Sequence, residues 1–379
     1  MNPQTIVISA VNLRKGGTLT ILRQCLSYLS ELTLSGSYRI VALVHKRELA
    51  DYPRIEYIEL PWTIEGWSKR LWCEYVTMHQ ISKEIGSVDL WLSLHDATPR
   101  VQARRQAVYC HTSFPFFPIK FRDFLYDPKI PTFGLLTQFT YRINQKQNKY
   151  IIVQQEWLRK AFMSKFGLRQ EEIIVARADT PETAYPDTKL APPVGHEGKY
   201  VFFYASTPDT HKDFQTLCRA TELLGQRISP ERFAVVLTTA GNENKYANYL
   251  YTQWGQVPGL HFAGLMDKPR LYAHYERANC FVFPSRIETW GLPITEYLEV
   301  HQAQRPLIVP RLAYAQETSQ GAERVAFFEP CDAEDLARLM QAAIEGNYTE
   351  YKSNPKQAHI AAPTARGWRE LFDLLLADL

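Results

Sequence analysis

Residues 281–300 read FVFPSRIETWGLPITEYLEV. Phe281, Val282 and Phe283 make a short continuous apolar run, the pattern of a strand covered on both faces. Pro284 and Ser285 break it. Pro293 suits the first turn of a helix, where its missing N–H is not needed. The stretch therefore predicts a strand, a loop and a helix. Glu288 falls at the strand's carboxyl end and Glu296 in the opening turns of the helix. Ligands of open α/β sheets bind beyond the carboxyl ends of strands, and helix N-termini attract phosphates. Gly291 ahead of the helix lets backbone N–H groups approach a diphosphate closely. The two carboxylates can then accept hydrogen bonds from hydroxyls on either side of it.

This arrangement resembles the E-x7-E signature of the family 4 retaining glycosyltransferases, whose fold is GT-B. In that family the first Glu contacts the donor sugar, the second the ribose of the nucleotide, and Gly-Leu-Pro-type amides the pyrophosphate. Carried over by position, those roles fall to Glu288, to Glu296 and to Thr289, Trp290, Gly291, Leu292 and Pro293. The resemblance reaches further. Leu260 to Gly264 look like the family's strand end before the signature, and Ala278-Asn279-Cys280 leads into it. Pro310 and Ala326-Phe327-Phe328-Glu329-Pro330 fit its continuation. The bland alternative is two solvated glutamates favoured by a helix dipole.

Composition bounds the rest. A chain of 379 residues suits two domains of ordinary size. A formal charge of +3 is too small to argue for nucleic acid. The six cysteines, Cys25, Cys73, Cys110, Cys218, Cys280 and Cys331, show no C-x-x-C spacing, which reads as a reducing cytoplasm. TIVISAV enters a strand with no signal-peptide pattern, and no run of about 18 apolar residues spans a bilayer. The expected location is cytoplasmic, with any membrane contact peripheral, on the inner face.

Strand and helix patterns alternate: Thr5–Val11 (strand), Thr18–Leu32 (helix), Tyr38–Val44 and Arg54–Leu60 (strands), Ser68–Ile85 (helix), then strands near Leu90–Leu94 and Ala107–Tyr109. Ile151–Val153 reads as the last strand of this half, with Glu156–Phe166 its helix. Residues 178–199 have four prolines and the composition of a linker. The alternation restarts with Tyr200–Ala205, Phe214–Leu224, Phe233–Thr238, Leu260–Ala263 and Pro269–Arg277, and closes with helices Asp335–Ile344 and Ala365–Leu376. The fold class is α/β, two doubly wound Rossmann-like units with a cleft implied between them. The expected domains are residues 1–178, joined by a crossover helix at 362–379, and 179–361.

Lys212, in YASTPDTHKDF after a strand, is a cation able to reach the same diphosphate as Gly291. The family usually has an Arg five residues earlier, where this chain has Thr207. His211 beside Lys212 is a weaker candidate. Gly16 and Gly17, in NLRKGGT, allow close backbone approach between the first strand and helix, and Arg14 or Lys15 can supply the missing cation. The motif is not G-x-G-x-x-G, which removes the best support for a nicotinamide or flavin. His111 matches the family's His beside the donor sugar, Gly264 its strand-end glycine, and His95-Asp96 precedes them as a lesser pair. No D-x-D triplet or zinc spacing occurs, so the reading is metal-independent, with no cofactor.

Aromatics alternate with cations at Trp62, Trp67, Trp72 with Lys69 and Arg70, at Phe114–Phe124 with Lys120 and Arg122, and at Phe139–Tyr150 with Arg142, Lys146 and Lys149. Such segments suit a membrane surface or a lipid-linked acceptor, or else plain packing. The resemblance thus implies a retaining hexosyltransferase that moves a hexose or deoxyhexose, GDP-mannose favoured, to a lipid-linked saccharide in polysaccharide assembly. The alternatives are a sugar-nucleotide epimerase or phosphorylase of the same fold, and a non-catalytic binding protein, to which the missing Arg points.

Overall fold

The structure is a computed structural model and describes residues 3–121, 123–177, 196–357 and 360–379. Arg122 and nearly all of the expected linker lie outside the described residues. The chain divides into two compact units. One takes residues 3–115, 136–177 and 360–379 of those described, the other 116–121, 123–135 and 196–357. Residues 116–135, which the sequence groups with the first half, pack with the second unit.

Among the described residues the first unit holds eight strands: β1 (Gln4–Ala10), β2 (Tyr38–Val44), β3 (Ile55–Glu59), β4 (Leu90–Ser93), β5 (Arg105–Tyr109), β6 (Tyr150–Val153), β7 (Ile173–Arg177) and β14 (Thr364–Arg366). They form one parallel sheet in the order β14-β7-β6-β5-β4-β1-β2-β3. Helices cover both faces, which is why its central strands read as unbroken apolar runs. Ile6, Ile8, Leu90, Leu92 and Tyr109 pack on Leu22, Cys25, Leu26 and Leu29 of helix Gly16–Leu32. The same core takes Trp368, Leu371, Phe372 and Leu375 of helix Gly367–Leu376. On the opposite face Val7, Val41 and Trp91 meet Met78 and Ile81.

Three expectations change here. Ile151–Val153 is not the last strand, because β7 and β14 continue the sheet. β14 takes in Ala365, which the sequence assigned to the final helix. The helix expected over Ser68–Ile85 breaks into Trp67–Trp72, a π turn at Cys73–Thr77 and Met78–Ile85. The interruption falls where the Glu74 carboxyl turns inward to Arg70 and His95.

The second unit carries β8 (Tyr200–Tyr204), β9 (Phe233–Leu237), β10 (Leu260–Phe262), β11 (Cys280–Val282), β12 (Leu307–Pro310) and β13 (Val325–Phe328). They form a parallel sheet in the order β10-β9-β8-β11-β12-β13. The chain runs outward from β8 through β9 and β10, then returns to the other side of β8 as β11. The switch point therefore lies between β8 and β11, and in the first unit between β1 and β4. Crevices at such points receive the ligands of doubly wound sheets. Among the described residues no helix is long and apolar enough to cross a membrane. All six cysteines are free.

Candidate functional site

The switch point of the second unit explains why residues far apart in sequence meet. β8 pairs with β11 through Phe202–Cys280 and Phe203–Phe281, so the loops leaving both strands emerge side by side. From β8 the chain passes through a 3₁₀ turn at Thr210–Lys212, then through Asp213 in the left-handed region (φ 49°), into helix Phe214–Gly225. From β11 it passes through residues 283–290 to Gly291, also left-handed (φ 86°), and into helix Leu292–Val300. Pro293 sits in that helix's first turn, as its lost N–H allows.

Lys212 and Glu288 meet across the crevice: Lys212 Nζ donates to Glu288 Oε1 at 2.5 Å, and each side chain keeps a small exposed area. An ammonium carries three donors, so this contact leaves two directions for a further anion. The backbone around the pair is pinned by hydroxyls. Tyr204 Oη donates to Lys212 O at 2.7 Å and lies 3.3 Å from Ser285 Oγ, while Tyr314 Oη donates to Ser285 O at 2.5 Å. These tyrosines are buried and are not among the residues the motif singles out. Their only sequence signal is apolar position in β8 and in the helix after β12.

At the head of helix Leu292–Val300 the positive φ of Gly291 is what fixes the residue type. An added Cβ there would stand 3.4 Å from Ile294 Cδ1. Thr289 and Trp290 are partly buried and Leu292 is exposed. Trp290 Nε1 donates to Thr295 Oγ1 at 2.9 Å, and Thr318 Oγ1 donates to Trp290 O. Glu296 lies one turn further on, where Tyr275 Oη donates to its Oε2 at 3.1 Å. Burial raises the Glu296 carboxyl above its ordinary value, with the Tyr275 hydrogen bond and Lys268 pulling it back. Gly264, just past β10, is left-handed as well (φ 79°).

The missing Arg has a plain outcome at its own position: Thr207 is exposed and donates to Asp209 Oδ2 at 2.8 Å. His211 does not supply the charge. Burial first, then Lys212 and Arg286, hold its imidazole well below the usual range, so it is neutral at pH 7.

In the first unit, helix Gly16–Leu32 begins at Gly16 itself. Both glycines are thus its opening residues, with Lys15 extended as the cap and Arg14 and Lys15 exposed. Gly16 has φ 61°. His111 follows β5. Its Nε2 lies 2.9 Å from Leu94 O, which makes that nitrogen the protonated one, and its ring stacks on Tyr109 at 4.7 Å. Burial lowers its pKa, opposed by Asp96. Asp96 (φ 66°) accepts from His111 N, Thr112 N and Tyr141 Oη, so it anchors the loop that carries His111.

Beneath that loop, at the β1–β4 switch point, lies a cluster the sequence did not single out beyond His95. Trp91 Nε1 donates to Ser9 Oγ at 3.1 Å, and Ser9 Oγ lies 3.0 Å from His95 Nε2. His95 Nδ1 stands 3.2 Å from Glu74 Oε1, which also accepts from Arg70 Nε at 2.6 Å. Ser9 is fully buried, so the arrangement supports the loop and is closed to substrate.

Of the aromatic–basic segments, Trp62 packs on the core, whereas Trp67, Trp72, Phe121 and Phe139 are exposed. Lys69 and Arg70 are paired with Glu65 and Glu74.

Residues 187–361 match the family described as Glycosyl transferases group 1. This stretch, just under half of the chain, is similar to a group 1 glycosyl transferase domain. The match spans the turn of Lys212, the Glu288–Glu296 stretch and Gly264. No curated protein matches the sequence. Among solved structures, Alr3699/HepE of Anabaena, determined with UDP and glucose, superimposes with a TM-score of 0.61 over 91% of each chain at 15% identity. Sucrose-phosphate synthase of Thermosynechococcus elongatus gives 0.58 over 93% of this chain and 92% of its own, at 14%. WaaG, a glycosyltransferase involved in lipopolysaccharide biosynthesis, gives 0.57 over 90% of each, at 14%. These likenesses extend over both units and show the fold, GT-B, with the group 1 match lying in its second half.

Proposed function

We propose that the chain is a retaining hexosyltransferase that takes a hexose or deoxyhexose from a nucleotide-diphosphate sugar and passes it to a saccharide, lipid-linked, in polysaccharide assembly. The observation that carries this reading is the meeting of Lys212 and Glu288 at the β8–β11 switch point, beside the left-handed Gly291 at the head of a helix. One ammonium and the first amides of a helix are suited to a diphosphate.

Departure of the nucleoside diphosphate builds negative charge on the phosphate next to the sugar. Lys212 and the amides at Gly291 and Leu292 are fixed before that charge appears, and preorganised charge of this kind supplies the largest share of such accelerations. Glu288 holds the ammonium with one oxygen and keeps the other for sugar hydroxyls. Glu296 takes the ribose. No enzymic nucleophile is assigned, so retention follows from attack on the face the diphosphate leaves, with the phosphate taking the acceptor's proton. Lys212 does the work a divalent ion does elsewhere, and no metal is required. The acceptor falls to the first unit, where Gly16, Gly17 and His111 lie at strand carboxyl ends. Exposed Trp67, Trp72 and Phe139 support an apolar-tailed acceptor and contact with the cytoplasmic membrane face.

The HKDF sequence favours GDP-mannose, while the likeness to a fold solved with UDP and glucose keeps UDP-sugars in the same test. A thermal-shift panel of GDP, UDP, dTDP and ADP decides. A ligand at about 100 times its dissociation constant adds about 2.7 kcal/mol to stability. A shift with one diphosphate supports the reading, and no shift with any of them at millimolar concentration removes it. Incubation with the matching sugar nucleotide alone then separates transferase from epimerase, since only an epimerase changes the sugar without an acceptor.

A further inference from the structure

Arg286 stands two residues before Glu288 in the same loop. It is 4% exposed, and its guanidinium grips Asp123 with two bonds, Nη1 to Oδ1 at 2.6 Å and Nη2 to Oδ2 at 3.1 Å. Nη2 also donates to Pro118 O at 2.5 Å, and the ring of Phe117 lies 4.6 Å from the guanidinium carbon. Asp123, 2% exposed, accepts a further bond from Lys120 N at 2.7 Å. Arg286 Nε is buried without a hydrogen-bond partner among the described residues, so the orientation of this desolvated pair comes from the two-bond fork and the Pro118 contact.

The backbone of Arg286 is tied in the other direction. Its N–H donates to His211 O at 2.8 Å, and His211 immediately precedes Lys212. One residue therefore joins three segments: the loop that carries Glu288, the turn that carries Lys212, and the stretch from Phe117 to Asp123. The helix that begins at Asp123 is held again at its far end, where Tyr126 packs on Tyr249 and Tyr246 with ring centroids 4.5 and 5.7 Å away. Tyr204 and Tyr314 hold the Glu288 loop through neutral hydroxyls. Asp123 holds it through charge.

We infer that Asp123 is a positioning residue for the donor-phosphate site: through Arg286 it fixes the Glu288 loop against the Lys212 turn, and so sets the anion-binding geometry without touching the donor. This rests on the donor-site reading above. Displacement of a binding group by about 1 Å is enough to cost a hundredfold in rate, so a loop anchor this close to the ammonium has functional weight.

The test compares wild type with Asp123→Asn, Asp123→Glu, Arg286→Lys and Tyr126→Ala. The last loosens the same segment through its ring contacts with Tyr246 and Tyr249 and leaves the carboxylate–guanidinium fork in place. Calorimetry measures binding of whichever of UDP, GDP, dTDP or ADP the wild type binds best, at a temperature where circular dichroism shows each variant folded. Expected are at least tenfold weaker binding by Asp123→Asn and Arg286→Lys, recovery of most of it by Asp123→Glu, and wild-type affinity in Tyr126→Ala despite a lower Tm. A crystal structure of Asp123→Asn, or of Arg286→Lys if the former does not fold, should show Lys212 Nζ no longer bonded to Glu288. Wild-type affinity in the folded Asp123→Asn or Arg286→Lys protein overturns this inference alone. Equal losses in Tyr126→Ala and Asp123→Asn also overturn it, because the segment and not the carboxylate would then matter. Absence of any diphosphate binding by the wild type overturns the donor-site reading and this inference with it.

Discussion

Lys212 and Glu288, 76 residues apart in sequence, form a 2.5 Å ion pair at the point where the second sheet reverses its strand order. Both side chains are mostly buried, with 16% and 13% of their area exposed. Removing one partner of a mostly buried pair leaves the other charge desolvated and alone, which costs stability. Loss of either group should therefore show in stability as well as in chemistry.

Lys212→Met and Glu288→Gln should each lower sugar transfer about 100-fold or more, the usual size of losing one preorganised charge contact. Thermal midpoints should fall as well, so turnover is compared at a temperature where each variant is folded. Turnover assays alongside melting curves check this, and near-normal turnover in either variant would remove the residue from the site.

Gly291→Ala should both destabilise and impair donor binding. An L residue in the left-handed region costs about 1–2 kcal/mol, and the new methyl meets Ile294 at 3.4 Å. Urea unfolding measures the first effect and nucleoside diphosphate titration the second. Unchanged affinity would mean that the amides at this helix head do not face the phosphates.

Removing one member of the Asp123–Arg286 pair leaves a buried charge alone and should cost about 3–5 kcal/mol. The double replacement Asp123→Leu with Arg286→Met should recover much of that stability, since apolar residues of similar volume often substitute for a buried pair. Urea midpoints of the two single and one double variants decide. A double variant as unstable as the worse single would contradict it.

Glu74 predicts a pH signature. Burial lifts its carboxyl from 4.5 to about 7, with Arg70 opposing. A folded pKa above the unfolded one favours the protonated folded protein. This contribution is complete below pH 4.5 and is lost as pH climbs through 7. A shift of that size amounts to about 3 kcal/mol. Between about pH 4 and 8, wild type should lose stability relative to Glu74→Gln by about that amount. Parallel urea-midpoint profiles would sink the prediction.

If Lys212 and the helix amides carry the charge compensation, as proposed, transfer should persist in excess EDTA and gain nothing from magnesium. Activity that disappears with chelation and returns with a divalent ion would assign that role elsewhere.

Much of the architecture was legible because parallel strands covered on both faces leave continuous apolar runs. Tyr38–Val44 and Glu156–Phe166 fall at the expected bounds. β7 and β14 escaped notice: β7 follows its helix closely, and β14 has three residues, of which only Ala365 is buried. The break at Cys73–Thr77 was hidden because an apolar period of 3.6 does not report a single inserted residue.

The sequence by itself determined what is local: a helix must start at Gly291-Leu292-Pro293, with Gly291 leaving room for close backbone approach. It also set Glu288 and Glu296 at opposite ends of one short stretch, and left Thr207 without a charge. Only the tertiary structure decided which distant groups meet. Strand order brings Lys212 to Glu288, and a segment from the first half of the chain brings Asp123 to Arg286. Neither pairing leaves a periodic trace, because electrostatic partners are chosen by proximity in space, and proximity here is set by the sheet's reversal between β8 and β11.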